Sequence, residues 1–215
     1  PPSSTLFPYT TLFRSASPLL SLVAFYRHAV QNKAVFHFNE TVTGLIREKG
    51  RITGIKTSSQ IYHAQWVINA AGAWAAHIGA MAGINIPLTP ESHEAGITEP
   101  VQTFIDPLVV DIRPTAKTSN FYFYQHATGQ VLFCYSPQPP IPGFDTRVTS
   151  EFLPIAARRL IDLVPRLRAI RVRRTWRGLY PMTPDGSPYL GLVEETPGLI
   201  LAAGMCGQGF MLGPG

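Results

Sequence analysis

Three stretches carry residue types and spacings that could do chemistry. The first is Trp66–Trp74, WVINAAGAW, an apolar run ending in Ala70, Ala71 and Gly72 ahead of a helical pattern. A strand-to-helix turn without bulky side chains lets backbone N–H groups approach a phosphate or the edge of a flat ligand. Small residues at such a turn also serve close packing. The second is Gly178–Gly191, GLYPMTPDGSPYLG. Pro181, Pro184 and Pro188 pin φ and remove donors, and Asp185-Gly186 supplies a tight turn. Three prolines between flanking glycines describe a rigid loop before a short strand, a pattern that favours a site over a plain connection. The third is Leu199–Pro214, LILAAGMCGQGFMLGP, where an apolar strand meets Gly204, Gly207 and Gly209 and a helix follows. A helix N-terminus stabilises developing negative charge.

The elements that must position these motifs follow from periodicity. Leu19, Leu20, Val23, Ala24, Tyr26 and Val30 recur at helical spacing, so the sequence predicts a helix over Pro18–Gln31 with proline near its start. Strands are predicted at 34–38, 41–47 and 51–57, with Gly50 as hairpin punctuation. Residues 66–70 and 199–203 read as buried strands because they lack polar alternation. Residues 91–148 look antiparallel, with strands at 95–98, 108–112, 121–125 and 131–135. Phe121 to Tyr124 put aromatics on both faces of one strand. A helix is predicted over 149–164 with Thr149 or Ser150 as N-cap, and a strand over 171–179. Residues 1–15 have no apolar period and are set apart as an unstructured or foreign leader.

Composition narrows the function classes. The chain of 215 residues is 45% hydrophobic and only 14% charged, against roughly 25% in ordinary soluble domains. Such a chain buries much surface, or buries more against a partner. No apolar run approaches the ~18–20 residues of a membrane helix, so no integral membrane segment is expected. Cys134 and Cys206 make neither a disulfide framework nor a metal spacing, and a reducing, cytoplasmic setting is preferred. The net charge of +5 is local: eight arginines and one acid lie between Arg158 and Arg177, leaving ten basic and twelve acidic residues elsewhere. A solvated face, or an interface to an acidic partner domain, accounts for this better than nucleic acid. No Ser-His-Asp order, metal cluster or phosphate loop is present. His93 and His126 could each shuttle a proton, or serve as ordinary core or surface histidines.

Taken together and in this order, the three motifs resemble those of the FAD-dependent D-amino-acid oxidase, glycine oxidase and sarcosine oxidase superfamily. The resemblance runs from Pro18 to the end and includes Ser92–Pro100, SHEAGITEP, which is similar to the family's strand entering the substrate domain. It implies an α/β fold: a partial FAD-binding, Rossmann-like domain with an inserted, mostly antiparallel substrate domain. The implied division is 16–87 and 175–215 for the FAD-binding parts and 88–174 for the substrate domain. It implies cofactor contacts from Val42, Ala70, Ala71, Gly72, Trp74, Gly207, Gln208, Gly209, Phe210 and Met211. Trp176, Tyr180 and Met182 would lie near the substrate, with Tyr180 as the catalytic candidate; Arg177 is the nearest basic residue in sequence to meet a substrate carboxylate. The implied reaction is hydride transfer to flavin from a C–H beside an amine nitrogen of a small amine or amino acid.

Departures from the family's pattern refine the expectation. The G-x-G-x-x-G fingerprint that holds the ADP part of FAD is absent, so the sequence reads as lacking an N-terminal half. Alone, such a chain is expected to be colourless and prone to aggregate. The family's two carboxylate-clamping arginines correspond here to Tyr180 and Gly207, and a flavin-attaching cysteine corresponds to Gly178. A sarcosine-like secondary amine is therefore expected over glycine. Another subunit or an electron acceptor is an expected partner, and the identity of the acceptor is not written in these motifs. Oxidation of a hydroxy acid or of glycerol 3-phosphate, and a non-catalytic subunit or inert fragment, remain the alternatives.

Overall fold

The structure is a computed structural model that describes residues 17–213. The expected leader and Pro214 lie outside the described residues. In chain order the elements are α1 (Pro18–Gln31), β1 (Val42–Glu48), β2 (Arg51–Thr57), β3 (Ile61–His63), β4 (Val67–Asn69), a 3-10 turn (Gly72–Trp74), α2 (Ala75–Met81), β5 (Thr89–Pro100), β6 (Val109–Asp111), β7 (Thr118–Gln125), β8 (Gln130–Pro137), α3 (Phe152–Leu163), a second 3-10 turn (Pro165–Leu167), β9 (Val172–Met182), β10 (Tyr189–Leu192), β11 (Leu199–Ala203) and α4 (Gly209–Leu212). The chain divides into two compact bodies. The first holds residues 17–34, Ser92–Ile141 and Asp145–Gly178; the second holds Val35–Glu91, Pro142–Phe144 and 179–213.

The first body is built on a sheet ordered β6-β7-β8-β5-β9. Strand alternation sorts its aromatics. Phe121 and Phe123 pair across to Tyr135 and Phe133 and face α3, while Tyr122 and Tyr124 take the opposite face. Phe121, Phe123, Val131 and Phe133 are buried with Phe152, Ala156 and Leu160 of α3. Each of these side chains except the small Ala156 contributes roughly 1.5–3 kcal/mol on removal from water.

Two expectations for this body are corrected. Thr149 does not cap α3: its N–H and Oγ1 donate to Glu94 Oε2 and Oε1 at 2.9 and 2.7 Å. The helix therefore begins at Phe152, with Glu151 at the cap and no side-chain cap bond. Nor are the α3 arginines uniformly solvated. Arg159 is buried, with Nη2 2.8 Å from Asp111 Oδ2 and donating to Arg113 O at 2.7 Å, and with Nη1 bonded to Thr118 Oγ1. The arginine anchors the helix to the loop after β6.

α1 has the predicted bounds, and Ser17 Oγ accepts from Leu20 N at 3.4 Å. The strand expected at 34–38 does not form. Lys33 and Asn39, at either end, turn into positive φ (68° and 61°), and the segment finds no ladder partner among the described residues.

In the second body β1, β2 and β3 form one antiparallel sheet, and β10, β11 and β4 form another. Lys49 and Gly50 close the β1–β2 hairpin with φ of 48° and 85°, the primed turn that suits strand twist. Ile52, Ala82 and Leu199 make the core, with Leu45, Val67, Ile84 and Val193 packed on it. Gly198 is required at the junction: a β-carbon there would lie 2.2 Å from Ile52 O. The strands at 66–70 and 199–203 form but are not buried on both faces. Ile68, Leu190 and Leu192 are 60%, 62% and 65% exposed. Ile200 pairs with both Ile68 and Leu192, which puts them on the same side of the sheet.

Candidate functional site

Strands β4 and β11 run parallel, with Leu199, Ile200 and Leu201 opposite Val67, Ile68 and Asn69. The turn after each strand therefore leaves from the same sheet end, although about 135 residues separate Gly72 from Gly207. This brings Ala70, Ala71 and Gly72 to one edge with the segment Gly207, Gln208, Gly209, Phe210 and Met211.

Each turn is held from below by a polar residue that sequence reading passed over. Asn69 is buried; its Nδ2 donates to Ala75 O at 2.9 Å and its Oδ1 accepts from Ala71 N at 3.3 Å. It clamps the start of the 3-10 turn against α2. The signal was present, since Asn69 is the one polar residue of the run VINAA. Buried Thr183 does the same for the second turn, and a β-carbon on Gly204 would lie 2.5 Å from Thr183 Cγ2. Asp185 Oδ1 accepts from Ser187 N at 2.9 Å and from Thr183 Oγ1 at 3.4 Å. The backbone N–H of Ser187, first among these, holds the Asp185 carboxyl below its ordinary range.

The second motif thus supports the third. Thr183 sits under Gly204, and the Tyr180 ring lies against Gly207, where a β-carbon would come within 2.7 Å of Tyr180 Cε2. The amides of Gly207, Gly209 and Phe210 donate to no backbone carbonyl among the described residues, while Gln208 O accepts from Met211 N and Leu212 N. The helix that follows is a single turn, Gly209–Leu212. Its dipole is correspondingly small, and the amides themselves are the available donors. Trp74, Phe210 and Met211 are exposed, and the Trp74 ring stands 5.6 Å from that of Phe144. Met182 is half-buried near the end of β9. Val42 opens β1 opposite Thr57, in the other sheet of this body.

Trp176 and Arg177 belong to the first body. The Arg174 guanidinium lies 5.3 Å from the Trp176 ring centroid. Arg177 points to the opposite strand face from Trp176. Its side chain is only 5% exposed; Nη1 donates to Arg147 O at 3.0 Å and stands 3.7 Å from Asp145 Oδ2. Its buried Nε has no hydrogen-bond partner among the described residues. Arg177 thereby ties the Asp145–Arg147 loop to β9.

The two histidines differ. Burial lowers His93 to about 4, so its ring is neutral at pH 7. His126 is bound into the β7–β8 turn, with Nδ1 2.7 Å from Thr128 Oγ1. Both cysteines are free. Burial pushes the Cys134 thiol up to about 11. Cys206 Sγ donates to Gly204 O at 3.4 Å, inside the second turn.

Comparison with known proteins identifies the family and the fold. A family model described as FAD dependent oxidoreductase (DAO) matches residues 11–215. Hydrogen cyanide synthase subunit HcnC of Pseudomonas aeruginosa is 32% identical over 190 residues, 87% of this chain and 43% of that protein. Sarcosine oxidase subunit beta of Rhizobium meliloti is 31% identical over 184 residues, 82% of this chain and 41% of that protein. The crystal structure of L-proline dehydrogenase from P. horikoshii superposes with a TM-score of 0.83 at 34% identity, covering 93% of this chain and 53% of that one. The chain spans about half the length of the relatives it matches.

Proposed function

The chain belongs to the FAD dependent oxidoreductase family, and from that premise we propose that it supplies the flavin-facing turns of an enzyme that oxidises a small secondary amine. The observation that carries this reading is the convergence of Ala70–Gly72 and Gly207–Met211 at one end of the β10-β11-β4 sheet, where ligands of open α/β sheets bind. The residues fit the cofactor. The unengaged amides of Gly207, Gly209 and Phe210 suit a flat ring that gains negative charge on reduction. Bound FAD supplies the hydride acceptor for a C–H beside the amine nitrogen. The chain's own part is to hold that ring edge, position the substrate and exclude water. No G-x-G-x-x-G occurs in the sequence, so a polypeptide bearing that fingerprint is included in the proposal to hold the ADP part.

Substrate choice rests on Tyr180 and Gly207. A free amino-acid carboxylate is best held by an arginine fork. Tyr180 offers one hydroxyl and no charge, and its ring fills the space that a side chain at Gly207 would need. Trading a charge-assisted pair for a neutral hydrogen bond forfeits on the order of 1 kcal/mol or more. An N-alkyl group recovers binding by apolar contact, which favours a secondary amine. Sarcosine and L-proline, in the names of two of the similar proteins, are both secondary amines.

The test is anaerobic bleaching of FAD bound by this chain together with a polypeptide that bears the G-x-G-x-x-G fingerprint. Sarcosine or L-proline is expected to reduce the flavin with kcat/KM about tenfold or more above glycine. Equal rates with glycine and sarcosine, or reduction by glycerol 3-phosphate alone, overturn the reading.

A further inference from the structure

Residues 166–174 read RLRAIRVRR: five arginines in nine residues, with no acid and no lysine. Nine residues reach at most about 30 Å even when fully extended, so these side chains share one strip of the first body. All five are exposed, and none joins an ion pair among the described residues. Four other arginines of the same body are neutralised. Arg159 and Arg113 meet Asp111, and Arg147 and Arg177 meet Asp145. The strip concentrates five open guanidiniums beside these closed pairs.

Two of the five are already oriented. The Arg166 guanidinium lies 4.7 Å from the Phe104 ring centroid, and that of Arg174 lies 5.3 Å from Trp176. Stacking on a ring fixes the guanidinium plane and leaves its N–H edges for a planar acceptor. Arg166 and Phe104 also border a cavity of about 270 Å³ together with Glu99 and Gln102. Glu99 Oε1 accepts from Arg171 N at 3.2 Å, which joins the cavity to the strip.

We propose that the Arg166–Arg174 strip and its cavity dock a carboxylate-rich segment of a partner protein. This surface is independent of the flavin chemistry proposed above. Three observations favour a polypeptide over other polyanions. Phe104 and Trp176 already carry guanidiniums, so neither is free to stack bases as single-stranded nucleic acid requires. Leu167 is buried and Ile170 and Val172 pack on the core, so the strip has no apolar side chain to insert into a lipid surface. Glu99 in the cavity opposes a uniform polyanion but can accept a backbone N–H from a peptide. Paired guanidinium forks match carboxylates bidentately.

The experiment uses the intact chain and a fluorescent fifteen-residue Glu/Asp-rich peptide as probe, read by anisotropy at fixed salt. Arg166→Gln/Arg168→Gln/Arg171→Gln should weaken binding about tenfold or more. Arg166→Lys/Arg174→Lys keeps the charge and loses the forks; it should weaken binding about threefold while leaving thermal melting unchanged. Lys33→Gln/Lys49→Gln/Lys56→Gln removes equal charge elsewhere and should change binding less than about twofold. No binding by the unaltered chain, or equal losses in the arginine and lysine triples, overturns the proposal. So does tighter binding of an oligo-dT strand or of phosphatidylserine vesicles than of the peptide.

Discussion

The ring of Tyr180 occupies the volume that a side chain at Gly207 would need, with Cε2 2.7 Å from where that β-carbon would stand. The two positions are thus coupled: an aromatic at one requires glycine at the other. Gly207→Ala should destabilise by about 1–3 kcal/mol through overpacking. In a Tyr180→Ala background the same change should cost less than about 0.5 kcal/mol, because the clash partner is gone. A double-mutant cycle in urea measures this coupling directly. Additive effects would mean that the ring does not constrain the turn.

Arg159 and Asp111 form a buried pair in the first body, each side chain about one-tenth exposed. Hydrogen bonds from Arg113 first, then Arg159, hold the Asp111 carboxyl well below its ordinary range. Arg159→Met should cost about 1–3 kcal/mol, since Asp111 keeps Arg113 but it and Thr118 each lose a buried donor. The double variant Arg159→Met/Asp111→Asn should lose less than the single one. Chemical denaturation of the three proteins decides it.

His93 gives the stability a definite pH signature. Its folded value, about 4, lies below the ordinary histidine value of 6.5. A group with a depressed folded pKa stabilises above its unfolded pKa, and that contribution is lost as pH falls toward the folded value. Stability should therefore decline between about pH 6.5 and 4, before the carboxylates titrate. His93→Gln should flatten that part of the profile and leave the steeper fall below pH 4, to which Asp111 contributes. An unchanged slope in the variant would assign the decline to other groups.

Thiol chemistry separates the two cysteines. Cys134 is buried with its thiol raised to about 11, so it is protonated and shielded at pH 8. Cys206 is half-buried in the glycine turn. Iodoacetamide at pH 8 should label Cys206 first, with Cys134 reacting only as the chain unfolds. Peptide mapping by mass spectrometry gives the order, and added FAD should slow the Cys206 reaction if flavin covers that turn.

Much of this was legible in the sequence because the signals were local. The period of Leu19 to Val30 set α1, and the glycines and small residues after Asn69 and Ala203 marked both turns. The parallel pairing that joins those turns is non-local: it sets Leu199–Leu201 beside Val67–Asn69 across about 130 residues of chain. What failed was decided by distant partners. Thr149 looks like a cap, but Glu94, 55 residues away, claims its hydroxyl and amide. Arg159 looks solvated until Asp111, 48 residues away, is brought to it. Residues 34–38 have strand composition and no strand beside them. Asn69 and Thr183 were missed for different reasons: Asn69, the one polar residue of VINAA, reads as tolerated when it is the clamp, and Thr183 is hidden among the prolines and the Asp185-Gly186 turn of its loop.

The β10-β11-β4 sheet sets the last prediction. Its covered face carries Leu199 and Val67, in contact with Ile52 and Ala82. Its other face carries Ile68, Leu190 and Leu192, each more than half exposed. Contiguous apolar side chains on an open sheet face favour self-association. Replacing all three with threonine keeps β-branching or strand propensity while removing apolar area. The covered core is untouched, so the melting temperature should shift by no more than a few degrees. Light scattering should show the variant monodisperse at concentrations where the unaltered chain aggregates. If both aggregate alike, the association comes from elsewhere, and the exposed face of α1, whose residues Leu19, Leu22 and Phe25 are 73%, 64% and 60% exposed, is the next surface to alter.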